Sequence, residues 1–68
     1  MRISERLKEL RLEKGVTQKE IAAHLGLTTK AYNFYELGQR EPTLSTVCKL
    51  CDYFSVSADY LLGRTDSY

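Results

Sequence analysis

The stretch from Thr17 to Glu36 constrains this chain more than any other, because it encodes two short helices and the turn between them. Thr17-Gln18-Lys19-Glu20 is a capping box, in which the Thr17 hydroxyl and the Glu20 carboxylate each satisfy a free backbone N–H. Val16 before the cap and Ile21 after it are placed for a hydrophobic staple. The helix opened there runs from about Gln18 to Leu25, with Ile21, Ala22 and Leu25 inward. Gly26 closes it, and Thr28 caps a third helix that reaches about Leu37 before Gly38 stops it. The turn His24-Leu25-Gly26-Leu27 is tight, and two short helices joined this way cross steeply as a helix-turn-helix.

The rest of the chain repeats the helical period. Ile3, Leu7 and Leu10 mark a first helix from about Ile3 to Lys14, with Glu5, Arg6, Lys8, Glu9 and Glu13 on its outer faces and Gly15 as its stop. After the polar loop Gln39-Arg40-Glu41-Pro42, Thr43 opens a fourth helix with Leu44, Val47, Leu50, Cys51 and Phe54 along one side. Ser57 caps a final helix, Ala58 to Leu62, that ends at Gly63. With no convincing strand, the expected fold is all-α: a compact five-helix domain over 1–63 and a loose tail over 64–68. A chain of 68 residues holds one domain. That size buries only about 60% of the unfolded surface, so the single core must be efficient.

Several function classes fall away. The net charge of +1 argues against non-specific polyanion binding as the main activity. The N-terminus lacks the apolar core of a secretory signal, and no run approaches the roughly 20 apolar residues that cross a bilayer. A cytoplasmic protein without membrane contact is expected. Cys48 and Cys51 form a C-x-x-C inside a helical pattern with no strand before it, which does not suit a redox motif. A zinc site would need two further ligands, and His24 is the one other soft donor, so both cysteines read as small core-facing residues and no metal is expected. One histidine, no paired nucleophile and base, and no glycine-rich phosphate loop argue against an enzyme, a cofactor or a small-molecule ligand.

Taken together, Thr17-Gln18-Lys19-Glu20-Ile21-Ala22, Leu25-Gly26-Leu27-Thr28 and Tyr35-Glu36-x-Gly38-x-Arg40-Glu41-Pro42-Thr43-Leu44 closely resemble the lambda-repressor-like family. That family is the Cro/cI and XRE group of bacterial and phage regulators. Val56-Ser57-Ala58-Asp59-Tyr60-Leu61-Leu62-Gly63 is similar to its closing helix, so the match spans Ile3 to Gly63. The resemblance implies a small transcriptional regulator, a repressor by type, that binds double-stranded DNA with its third helix in the major groove of a palindromic operator. It nominates Thr28, Thr29, Lys30, Asn33 and Phe34 for base contacts, and Gln18, Lys19 and Arg40 for phosphates. It implies a structural ion pair between Arg11 and Glu36, and a homodimer through Val56, Tyr60 and Leu61 with Tyr53 nearby, although the same residues could close the small core and Leu61 suits either place equally. The chemistry is compatible: lysine donates to guanine O6 or N7, asparagine pairs with adenine, and a threonine methyl touches a thymine methyl. A helix start such as Gln18 favours an anion through its free N–H groups and dipole.

Two residues depart from the family pattern. Tyr32 stands where relatives commonly carry a β-branched aliphatic, and Phe34 where they carry a polar or basic residue. Tyr32 is expected in the core with its hydroxyl at the edge seeking a partner. Phe34 suits either thymine methyls and sugars or an apolar anchor on a protein. The aromatic third helix therefore leaves a competing reading, a protein-interaction module of the same fold that acts as an anti-repressor or antitoxin-like partner.

Overall fold

Each helix after the first begins on a hydroxyl, and this local chemistry sets the element boundaries. The Thr17, Thr28, Thr43 and Ser57 side chains accept from the backbone N–H of Glu20, Ala31, Thr46 and Tyr60. Each bond satisfies one of the donors that a helix start leaves free. In the computed structural model, which describes residues 2–68, the order is α1 (Ile3–Lys14), α2 (Gln18–Leu25), α3 (Thr29–Glu36), α4 (Leu44–Phe54) and α5 (Ala58–Leu61). The helix α1 has no side-chain cap; Glu5 in its first turn and Arg11 and Lys14 in its last complement its dipole instead.

Gly26 makes the turn between α2 and α3. At φ 72° it is left-handed, its N–H bonds to the carbonyls of Ala22 and Ala23, and Leu27 N–H returns to Ala22 at 2.9 Å. A Cβ there would meet nothing within 4 Å, so the backbone angle and not space requires glycine. Ser55 adopts the same left-handed conformation after α4, with no glycine to announce it.

The core draws on every helix: Ile3, Leu7 and Leu10 from α1, Ile21, Ala22 and Leu25 from α2, Tyr32 and Tyr35 from α3, Val47 and Leu50 from α4, Tyr60 and Leu61 from α5. The helix α1 packs against α3 and α5, while α2 packs against α3 and α4. All described elements are helical, and none is long and apolar enough to cross a membrane.

The structure corrects several expectations. Helices α3 and α5 each stop one residue early, because Leu37 and Leu62 already turn toward the glycines that follow. Leu44 is 85% exposed: as the first residue of α4 it overhangs the core instead of entering it. Cys48 is exposed and Cys51 half-buried, because the buried face of α4 runs along Val47 and Leu50. Arg6 is buried rather than outward. The tail is not loose. Ser57 N–H donates to the Tyr68 carbonyl at 2.8 Å, Arg6 bonds Asp66, and Tyr68 lies on the Tyr60 ring with centroids 4.7 Å apart.

Candidate nucleic-acid interface

The face built by α2 and α3 rests on a polar relay. Arg11 grips Glu36 with two bonds, Nε to Oε2 at 2.6 Å and Nη2 to Oε1 at 3.1 Å, while Nη1 reaches the Val16 carbonyl at 3.3 Å. The Glu36 side chain is 3% exposed. Burial alone would raise its pKa, but the Arg11 bonds and then those of its other neighbours outweigh burial and hold the carboxyl below its ordinary value. The same pair raises the Arg11 pKa through the hydrogen bonds to Glu36.

Gln18 extends this relay onto α3. Its Nε2 donates to Glu36 Oε1 at 3.1 Å and to Asn33 Oδ1 at 3.0 Å. The chemistry fixes both amide orientations. An ionised carboxylate only accepts, so the Gln18 atom facing it is the NH2, and the Asn33 atom facing that NH2 is the oxygen. The Asn33 NH2 is then left pointing away from the relay. Both amide hydrogens of Gln18 are thus engaged inside the protein in this structure. The first main-chain N–H groups of α2 are free donors of the kind that favour an anion, with Lys19 exposed beside them.

Thr28, Thr29 and Lys30 are exposed at the N-terminal end of α3, and Asn33 and Phe34 are half-buried one turn further on. The Thr28 hydroxyl accepts from Ala31 N–H as the cap of α3, which leaves its own O–H and its methyl for outward contact. Past the end of α3, Gly38 reverses the chain and Gln39 N–H donates to the Phe34 carbonyl at 3.0 Å. This return sets the Arg40 guanidinium 5.8 Å from the Phe34 ring centroid. Gln18 and Asn33 are thus joined across α2 and α3, and Phe34 and Arg40 are brought together across α3 and the following loop.

Tyr32 fills the centre of the fold with no exposure, and its hydroxyl has no hydrogen-bond partner among the described residues. Burial, followed by the nearby Glu36 carboxylate, pushes its ionisation far above the ordinary phenol value. The residues nominated for a dimer surface sit deeper than expected. Leu61 is fully buried and Tyr60 is 7% exposed, so both close the core of a single chain, and Val56 is half-buried. A four-residue helix that must plug so small a core has few side chains to spare for a partner. Tyr53 is half-buried between the His24 ring, 4.6 Å away, and Lys14, whose Nζ is 4.9 Å from its centroid.

Sequence reasoning missed the Gln18–Asn33–Glu36 bonds and the burial of Arg6. No local signal marks either, because the partners lie 15, 18 and 60 residues apart in the chain.

Comparison with known proteins agrees with this geometry. The helix-turn-helix family model matches residues 7–61. Over 61 residues the chain is 46% identical to YonR, an SPbeta prophage-derived HTH-type transcriptional regulator of Bacillus subtilis, covering 90% of this chain and 56% of that protein. It is 36% identical over 64 residues to RstR, a cryptic phage CTXphi transcriptional repressor of Vibrio cholerae, covering 94% and 57%. The crystal structure of a Listeria innocua transcriptional regulator superposes with a TM-score of 0.88 at 29% identity, over 97% of this chain and 62% of that one. The restriction-modification controller protein C.AhdI of Aeromonas hydrophila gives 0.78 at 32% identity, over 88% and 87%. The chain spans about half the length of the curated relatives it matches. Capped helices, glycine turn, buried Arg11–Glu36 pair and these likenesses together make the chain a member of the helix-turn-helix family, in its lambda-repressor-like, XRE-type branch.

Proposed function

We propose that this chain binds double-stranded DNA sequence-specifically and regulates transcription, with α3 lying in the major groove. The observation that carries this reading is the exposed start of α3, where Thr28, Thr29 and Lys30 face water, braced by the Gln18–Asn33 bond from α2. An α-helix fits the major groove, and the first residues of a recognition helix reach base edges while the preceding helix braces the backbone. Thr29, Lys30 and the free NH2 of Asn33 read bases. The main-chain N–H groups at the start of α2, Lys19 and Arg40 hold phosphates. Repression is the favoured output, since RstR, 36% identical over 64 residues, is named a repressor. The relatives and solved structures are named as regulators, which does not favour the protein-interaction alternative.

One short helix reads few base pairs, so two copies spaced about 34 Å apart on a palindrome complete the reading. With Tyr60 and Leu61 in the core, Val56 and its surroundings carry that contact, and the copies are expected in the cytoplasm with no ligand required.

Selection of bound sequences from a random DNA pool tests the reading directly. A palindromic motif is expected, and affinity for it should fall with salt at a log–log slope near −0.9 per phosphate contacted. Lys30→Ala should change the selected motif, whereas Arg40→Ala should weaken binding to every sequence alike and flatten the salt slope by about one. No enrichment, or weak and salt-independent binding to every fragment, would remove the DNA reading.

A further inference from the structure

We propose that Phe34 is a positioning residue: its ring holds the Arg40 guanidinium ready for a DNA phosphate. The inference rests on the DNA reading above and assigns a role to one of the two residues of α3 that depart from the family pattern.

Three observations carry it. First, the backbone brings the two side chains together, because the left-handed Gly38 and the 3.0 Å bond from Gln39 N–H to the Phe34 carbonyl fold the loop back over the last turn of α3. Second, the guanidinium carbon lies 5.8 Å from the ring centroid, within the range of about 6 Å over which a cation is drawn to an aromatic face. Third, Arg40 makes no ion pair and no side-chain hydrogen bond among the described residues, so the ring is the group that restrains it.

The mode of restraint matters. A carboxylate partner would occupy the N–H donors that a phosphate needs and would cancel the charge. An aromatic face takes the π surface of the guanidinium and leaves the in-plane N–H groups free for bidentate phosphate contact. A free arginine loses much rotamer entropy when it docks, and a ring that already limits its range reduces that loss. Phe34 itself is half-buried, which limits the movement of the platform.

The test uses the DNA fragment that the wild-type chain selects from a random pool, with affinity measured by fluorescence anisotropy at several salt concentrations. Phe34→Leu keeps apolar bulk but removes the π face, and Phe34→Tyr restores it. Phe34→Leu is expected to weaken binding about two- to five-fold, with the selected motif unchanged and the loss equal on every sequence. Phe34→Tyr should bind as the wild type does. In an Arg40→Ala background Phe34→Leu should cost nothing further, because the group it positions is gone. Thermal unfolding of each variant separates loss of fold from loss of positioning, and rescue by tyrosine is a readout that mere packing by leucine would not need. A shifted motif in Phe34→Leu would mean that the ring touches bases and would overturn the inference. So would a loss that adds in full to that of Arg40→Ala, or no loss at all. A wild-type chain that selects no sequence overturns the DNA reading and this inference together, whereas additive losses on a bound motif overturn this inference alone.

Discussion

Arg6 and Arg11 stand on the same helix, both reach carboxylates far along the chain, and both lose most of their contact with water, yet they are held in opposite ways. Arg11 meets a partner as buried as itself: Glu36 is 3% exposed, takes two bonds from the guanidinium, and passes its remaining capacity to Gln18. Arg6 makes one bond of 2.8 Å, to Asp66, whose side chain is 94% exposed, and its Nε lies buried with no partner. What covers Arg6 is a thin layer, the Tyr60 ring 4.1 Å from its guanidinium carbon and the tail segment that brings Asp66 and Tyr68 over it. Arg11 is therefore held by electrostatics, and Arg6 by packing of its stem and its guanidinium face. Burial of a charge does not by itself say which.

The largest expected effect lies on the Arg11 side. Glu36→Ala leaves the guanidinium covered and unpaired and removes the acceptor that orients Gln18. It should cost roughly 3 kcal/mol, the low end for a broken buried pair because the Arg11 side chain keeps 13% exposure. Urea unfolding measures this, and a loss under about 1 kcal/mol would show that water takes over the role of Glu36. The double change Arg11→Met with Glu36→Leu should recover much of the loss, since a desolvated pair is often matched by apolar residues of similar volume.

Acid and base should act on the same centre in a defined direction. The folded pKa of Glu36 lies below its unfolded value, so its contribution is complete above the ordinary carboxylate pKa of about 4.3 and is lost as pH falls through the folded value. Tyr32 shifts the other way: its folded pKa is raised, so the unfolded chain ionises first and stability declines as pH rises above about 10. Stability–pH profiles of Glu36→Gln and Tyr32→Phe should flatten the acid and alkaline limbs respectively. An unchanged acid limb in Glu36→Gln would place the acid sensitivity elsewhere. Tyr32→Phe should also fold at least as well as the wild type near neutral pH, because the hydroxyl it removes has no partner.

The smallest effect is expected on the Arg6 side. Asp66→Ala should lower the melting midpoint by no more than about 8 °C, because Asp66 is 94% exposed and water screens its pull on Arg6. Arg6→Met keeps the stem over Tyr60 and should likewise melt close to the wild type. A large drop in either would mean that the tail pair carries charge energy comparable to the Arg11 pair, and the contrast between the two arginines would fail.

The two arginines also mark the limit of what could be read in advance. The helix boundaries were legible because their causes are local: a hydroxyl three residues before the N–H it caps, as at Thr17, Thr28, Thr43 and Ser57, and a glycine free to turn left-handed, as at Gly26. The nominated surface residues of α3 were legible too, since Thr29 and Lys30 fall off the apolar period and do lie exposed. The exposure of Leu44 and Cys48 and the withdrawal of Tyr60 into the core were not, although all three stand in helices correctly located. Nor were the bonds that tie Gln18 to Asn33 and Glu36.

The sequence by itself determined which residues are helical, where each helix starts and stops, and that the second and third meet across a glycine turn, because caps and turns are satisfied within three or four residues. Only the tertiary structure decided which polar groups find each other and which apolar ones find cover. Those outcomes depend on how α1 lies across α3 and α5 and on a tail that folds back over Arg6, and the segments concerned are brought together by packing alone.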